Sequence, residues 1–194
     1  MSAATTVFAE RGVNGASVEE ICESAGFTRG AFYSNFADKD ALVLALIEAG
    51  MAAQYAAAEG ALDALASSAP GAPPEELVSI ALSRFDALGP QRDGDRLSRE
   101  AVLVHQELML HAARVPALRA PYAAFVQACT EQLRGPITDA LDAAGLEFTV
   151  PFDEAIDLLT AAHDSGRISS LFVDAATAPT LRRMVLAITR PTAP

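Results

Sequence analysis

The 194-residue chain sets 25 acidic against 14 basic side chains, a net charge of −11, with 51% hydrophobic and 20% charged residues. This composition excludes a disordered chain and leaves enough apolar material for one large domain, or a small domain joined to a larger one. It also lacks the basic excess that marks most nucleic-acid-binding chains, so any DNA contact has to come from where the charges sit. Ala and Leu dominate and Trp is absent, which favours helix. The start, "MSAATTVFAERG", has no basic region and reaches Glu10 too early for a signal peptide. No uninterrupted apolar run of about 18 residues reads as a membrane span. The expected location is therefore the cytoplasm.

In chain order, residues 3–11 place Ala4, Val7 and Phe8 at helical spacing, and Gly12 is expected to stop this helix. The run "SVEEICESAG" opens with a capping box, in which the Ser17 oxygen accepts from the residue-20 amide while Glu20 reaches back to the Ser17 amide. Val18, Ile21, Cys22 and Ala25 make one apolar stripe, and Gly26 ends the helix. Thr28 caps a short helix running to Phe36. Two short helices joined by a turn of about three residues that contains glycine form a helix-turn-helix over about 17–36. Asp38 caps a longer helix from Lys39 to Ala66, with Leu42, Ala45, Leu46 and Ala49 on one face. "SSAPGAPPEE" at 67–76 is the clearest linker. Further helices are expected at about 75–88, 95–114, 116–144, 152–171 and 178–189, with breaks at "GPQRDGD", Pro116, "AGLEFTVP" and "VDAATAP". Gly135 and Pro136 predict a kink or split in the third of these. No strand of period two stands out. The fold class is all-α, with about nine helices.

The short helix at 28–36 carries the chemistry. Phe32 and Phe36, four residues apart, belong to the core. Thr28, Arg29, Gly30, Tyr33, Ser34 and Asn35 remain on the other side, and no acid lies between Glu23 and Asp38. A helix that enters the major groove needs donors on its N-terminal half and no carboxylate. Gly30 and Ala31 permit close backbone approach, Arg29 suits a guanine edge, and Asn35 suits adenine or a phosphate. Lys39 is the only lysine in the chain. At the first position of its helix, where free amides already favour an anion, it is expected to clamp a phosphate. With the helix-capping Ser17, these make the candidate DNA contacts Ser17, Thr28, Arg29, Gly30, Ala31, Tyr33, Ser34, Asn35 and Lys39.

The stretch "VFAERGVNGASVEEICESAGFTRGAFYSNFADKDALVLALIE" resembles the N-terminal DNA-binding domain of the TetR family of transcriptional regulators over about 46 residues. The resemblance rests on the Phe-Ala-Glu-Arg-Gly end of the first helix, the capped second helix, Ala25-Gly26, Gly-Ala-Phe-Tyr at 30–33, Phe36 and Lys39. It implies a DNA-binding domain at 1–47 and a helical ligand-binding and dimerisation domain at 48–194. It also implies a homodimer whose last two helices build the interface. One departure is visible: family members carry about two more helical turns before "AATTVFAERG", whereas Ala3–Arg11 spans about 13 Å. The resulting expectation is a regulator, a repressor released from a palindromic operator by a small, largely apolar effector. The alternative is an acidic helical ligand-binding or interaction protein that has lost DNA binding with those turns.

Other residues are weighed against plainer roles. His105 and His111 are six apart and so face different sides of their helix, and His163 lies elsewhere, so no metal site is expected. No nucleophile-base-acid order, glycine-rich phosphate loop or paired carboxylate appears, so neither an enzyme nor a cofactor is expected. Cys22 and Cys129 read as free buried thiols. The run "LVHQELMLHAAR" at 103–114 is apolar almost all round with a few polar groups, which suits a pocket wall. The pocket candidates are Phe85, Leu103, Gln106, Glu107, Leu110, His111, Phe125 and Cys129. Leu158, Leu159, Ala162, Leu181, Val185 and Ile188 are the candidates for the dimer interface.

Overall fold

In the computed structural model, which describes residues 1–67, 73–88, 92–93, 96–97, 99–172 and 178–192, helix α1 (Ser2–Gly15) buries Ala4, Val7 and Phe8 as their spacing requires. The helix breaks at Gly12, whose φ of 70° and ψ of 164° only glycine adopts readily, and one further turn carries Val13 into the core. Helix α2 (Val18–Ala25) follows, then α3 (Arg29–Tyr33), the 28-residue α4 (Lys39–Ala66) and α5 (Pro74–Leu88). A pair of two-residue strands, β1 (Arg92–Asp93) and β2 (Arg96–Leu97), precedes α6 (Arg99–Arg114). Then come α7 (Pro116–Ala143), β3 (Leu146–Phe148), α8 (Phe152–Ser169), α9 (Ala178–Ile188) and β4 (Thr189–Pro191). Among the described residues the chain is all-α with nine helices and these short strands.

Several boundaries differ from expectation. α6 starts at Arg99 rather than near residue 95. α7 runs unbroken through Gly135 and Pro136. The Thr138 hydroxyl donates to the Arg134 carbonyl at 2.8 Å in that stretch. The break expected at "AGLEFTVP" contains a strand: β3 pairs antiparallel with β4, Leu146 opposite Pro191 and Phe148 opposite Thr189. Residues 68–72 of the expected linker lie outside the described residues, as does most of the breaks at "GPQRDGD" and "VDAATAP".

The chain forms two compact units, residues 1–52 with 93–126, and residues 53–92 with 127–194. In the first, α1 packs chiefly against α2 and α6. Phe8, Val13, Leu42 and Val43 are fully buried there, with Ile21, Phe32, Val104 and Leu108 around them. Each such side chain contributes about 1.5–3 kcal/mol by leaving water. In the second, α9 packs on α8 and α5, and a smaller cluster joins Leu65, Leu77, Ala140 and Leu146. Helix α4 is the one helix among the described residues long and apolar enough to cross a membrane, with mean hydropathy 1.5 over 18 residues. It passes that test although no uninterrupted apolar run marks it. Leu42, Val43 and Ile47, and further on Ala57, Ala61 and Leu65, are buried within the protein, and 28% of that apolar window is buried in all.

Candidate nucleic-acid interface

The helix-turn-helix is built by local capping. Ser17 Oγ accepts from the Glu20 amide at 3.2 Å, and Glu20 Oε2 accepts from the Ser17 amide at 2.9 Å, completing the box. The Ser17 amide and the Ser17 hydroxyl, which donates to the same Oε2 at 2.9 Å, hold the Glu20 carboxyl below its ordinary range, with Arg11 nearby. Gly26 closes α2 with a φ of 67°, and the Phe27 amide donates to the Cys22 carbonyl at 2.9 Å. Thr28 then caps α3 through its hydroxyl, which accepts from the Ala31 amide at 3.2 Å. α3 is shorter than the expected 28–36 helix, because Ser34 ends it and turns Oγ back onto the Gly30 carbonyl at 2.9 Å.

Phe32 is buried and packs against Phe36 at 5.6 Å between ring centroids, which anchors α3. Thr28, Arg29, Gly30, Tyr33, Ser34 and Asn35 are exposed, and Ala31 is half-buried. The sequence-derived face is thus one continuous exposed surface without a carboxylate of its own. Asn35 Nδ2 donates to the Ala31 carbonyl at 2.9 Å, so its amide is oriented along the helix. Phe27, in the turn, stands 69% exposed beside this face. Sequence reasoning missed it, because a residue just before a helix cap ordinarily staples inward.

The three cationic side chains of residues 1–47 all engage their own chain. Arg11 pairs with Glu20. Arg29 pairs with Glu19 on α2 at 2.6 Å and lies 5.9 Å from the centre of the Tyr33 ring. Lys39 is half-buried and donates from Nζ to the carbonyls of Val13 at 2.7 Å and Ala16 at 2.9 Å. This is a cation at the C-terminal end of α1, where unpaired carbonyls carry partial negative charge. The phosphate clamp expected of Lys39 therefore meets a competing use, since two of its three donors point inward. Val13 is held from both sides, because its amide donates to Glu107 Oε2 at 3.2 Å.

Glu107 and His111, read as pocket residues, instead face the helix-turn-helix unit. Glu107 abuts Gly12, where an added Cβ would lie 2.8 Å from Oε2. His111 is buried and its Nε2 lies 2.7 Å from Asp40 Oδ1 at the start of α4. Glu100, in the first turn of α6, accepts from the Thr6 hydroxyl at 2.8 Å. Their polarity serves the contact of α6 with α1 and α4. Leu103, Gln106 and Phe125 are half-buried and Leu110 is exposed, all in the first unit. Phe85 and Cys129 are half-buried in the second, and Cys22 is buried in the first, both thiols being free. Of the interface candidates, Ala162 and Ile188 are buried within their own chain. Leu158, Leu159, Leu181 and Val185 are half-buried. No group of His, Cys, Asp or Glu among the described residues could hold a metal ion.

The structure is that of a helical protein with a capped helix-turn-helix in its first residues. Residues 1–46 match the family model of bacterial regulatory proteins of the tetR family. No curated protein matches the chain in sequence. Three solved structures share the fold. One is assigned to the TetR-family transcriptional regulators of Mesorhizobium loti MAFF303099, with TM-score 0.69, 17% identity, and 96% of this chain and 91% of that one covered. A second, assigned likewise, is from a Rhodococcus species, with TM-score 0.67, 21% identity and coverage of 96% and 92%. The third is the TetR-family regulator PfmR of Thermus thermophilus, with TM-score 0.62, 16% identity and coverage of 95% and 94%. The chain carries a TetR-type N-terminal domain at residues 1–46, on the fold of the TetR-family transcriptional regulators.

Proposed function

We propose that this protein is a homodimeric, cytoplasmic DNA-binding regulator that represses transcription and leaves a palindromic operator when a small, largely apolar molecule binds its C-terminal unit. The observation that carries the reading is the face of α3. Thr28, Arg29, Gly30, Tyr33, Ser34 and Asn35 are exposed on a helix that carries no carboxylate of its own and is capped at its start by Thr28, with Glu19 of α2 reaching Arg29. Such a face suits the major groove, with Arg29 at a guanine edge and Tyr33 and Ser34 toward the backbone. Two copies would present two such helices to half-sites about 34 Å apart. Effector binding would favour a dimer whose reading helices no longer match that spacing, which is a population shift.

Retention of a duplex from the region upstream of the protein's own gene in a gel-shift assay tests this reading. Specific retention by the free protein, lost on replacing Arg29 with Ala, is expected. Absence of any retained duplex, there or in a selection from random double-stranded DNA, would sink it. The engagement of Arg11, Arg29 and Lys39 within the chain favours a second reading. In it the protein is an acidic helical ligand-binding or interaction protein without DNA affinity, which the same assay separates.

A further inference from the structure

Helix α8 buries Ala155, Ala162 and Gly166, the small residues its packing on α9 requires, and beside them it buries Arg167. Arg167 is only 4% exposed, so its guanidinium sits inside the second unit. Its Nε is fully buried and has no hydrogen-bond partner among the described residues. Asp164, one turn earlier, attracts it through space, and burial acts on both groups against their charged forms. A guanidinium presents five donors in a planar fork and stays charged, so leaving one of them dry and unbonded is costly. Such a group in a folded protein calls for an explanation, and a bound anion is one that satisfies the donor. One turn from Arg167 on the same helix, the His163 ring meets Phe85 of α5 edge-on, 5.5 Å between centroids. The buried cation therefore has aromatic side chains on its own side of α8.

We infer that the effector is a small organic oxyanion, a carboxylate or phosphate on an apolar body, whose oxygens take the fork of Arg167. The inference rests on reading the second unit as effector-binding. It changes the expected effector from purely apolar to amphiphilic. Planar bidentate pairing is the geometry in which arginine discriminates an oxyanion from a neutral polar group. An oxyanion at this position would satisfy a donor that the folded chain leaves open, so it would bind the native state and not the unfolded one.

Thermal unfolding of the full chain with benzoate, phenyl phosphate and benzamide tests this without DNA, so its failure is distinct from failure of the DNA-binding reading. Benzoate or phenyl phosphate is expected to raise Tm, by roughly 5–10 °C at about 100-fold excess over Kd and further with the logarithm of concentration, with benzamide inert. The arm that responds identifies the headgroup. Arg167→Met, which fills the same space without the fork, should abolish the response. Arg167→Lys keeps the charge without the fork and should bind more weakly than wild type. The inference is overturned if neither oxyanion shifts Tm, if benzamide acts equally, or if Arg167→Met responds like wild type.

Discussion

Replacing Lys39 with Met keeps the aliphatic stem and deletes the two bonds from Nζ to the Val13 and Ala16 carbonyls. Hydrogen bonds with a charged partner are worth about 1.5–3 kcal/mol each, but water can reach this half-buried site and repay part of the loss. A net destabilisation of about 2–3 kcal/mol is expected, which for a chain of this size lowers Tm by roughly 5–10 °C. Calorimetry measures that directly. The second observable is the dependence of DNA affinity on salt. A lysine on a phosphate releases about one counterion per contact, so its loss would flatten the log–log slope by about one per subunit. A lysine that ties α1 to α4 leaves the slope of the folded protein unchanged, while affinity falls alike on all sequences. An unchanged Tm together with a flattened slope would refute the tie and restore Lys39 to the phosphate.

Arg29→Ala is expected to cost about 1–3 kcal/mol on the preferred duplex and to relax preference at one position per half-site, read by binding to a panel of point-substituted duplexes. Glu19→Gln should raise affinity for all duplexes, since it removes the acid that holds Arg29 at 2.6 Å, and a loss of affinity would mean that Glu19 orients the arginine. Gly12→Ala places a side chain at φ 70° and drives a Cβ toward Glu107, so a loss of about 1–3 kcal/mol in denaturant unfolding is expected. Glu20 has a folded pKa below its ordinary 4.5, chiefly through the Ser17 backbone bond, so its stabilisation is present above that pH and lost as pH falls through the folded pKa. The Tm gap between wild type and Glu20→Gln should therefore close on acidification below about pH 4.5, and a gap that widens there would contradict the assignment.

The helix-turn-helix was legible because its determinants are local. Ser17 and Glu20, Gly26 and Thr28 act within four residues of their partners, and the observed bonds are those the spacing requires. The all-α class followed from composition and periodicity in the same way. What escaped reading depends on contacts distant in sequence. Glu107 meets Val13 across 94 residues and His111 meets Asp40 across 71, so nothing near 103–114 told a pocket wall from a helix facing α1 and α4. The pairing of β3 with β4 joins three-residue segments too short for an alternating pattern. The polar face of α3 could be read, but the ion pair between Arg29 and Glu19 could not, because it depends on how α2 and α3 cross. Nothing in the sequence around Arg167 marks it, and its burial on the same helix as Ala162 and Gly166 sets it apart.

Whether the face from Thr28 to Asn35 reads DNA sequence is the decisive question. Fluorescence anisotropy of the free protein, at one stated salt concentration, on a duplex enriched from random DNA and on its scrambled counterpart, measures this most directly. The enriched duplex is predicted to bind at least about a thousandfold more tightly, with most of that gap lost in Arg29→Ala. Equal affinity for the two duplexes, or no binding to either, would contradict it.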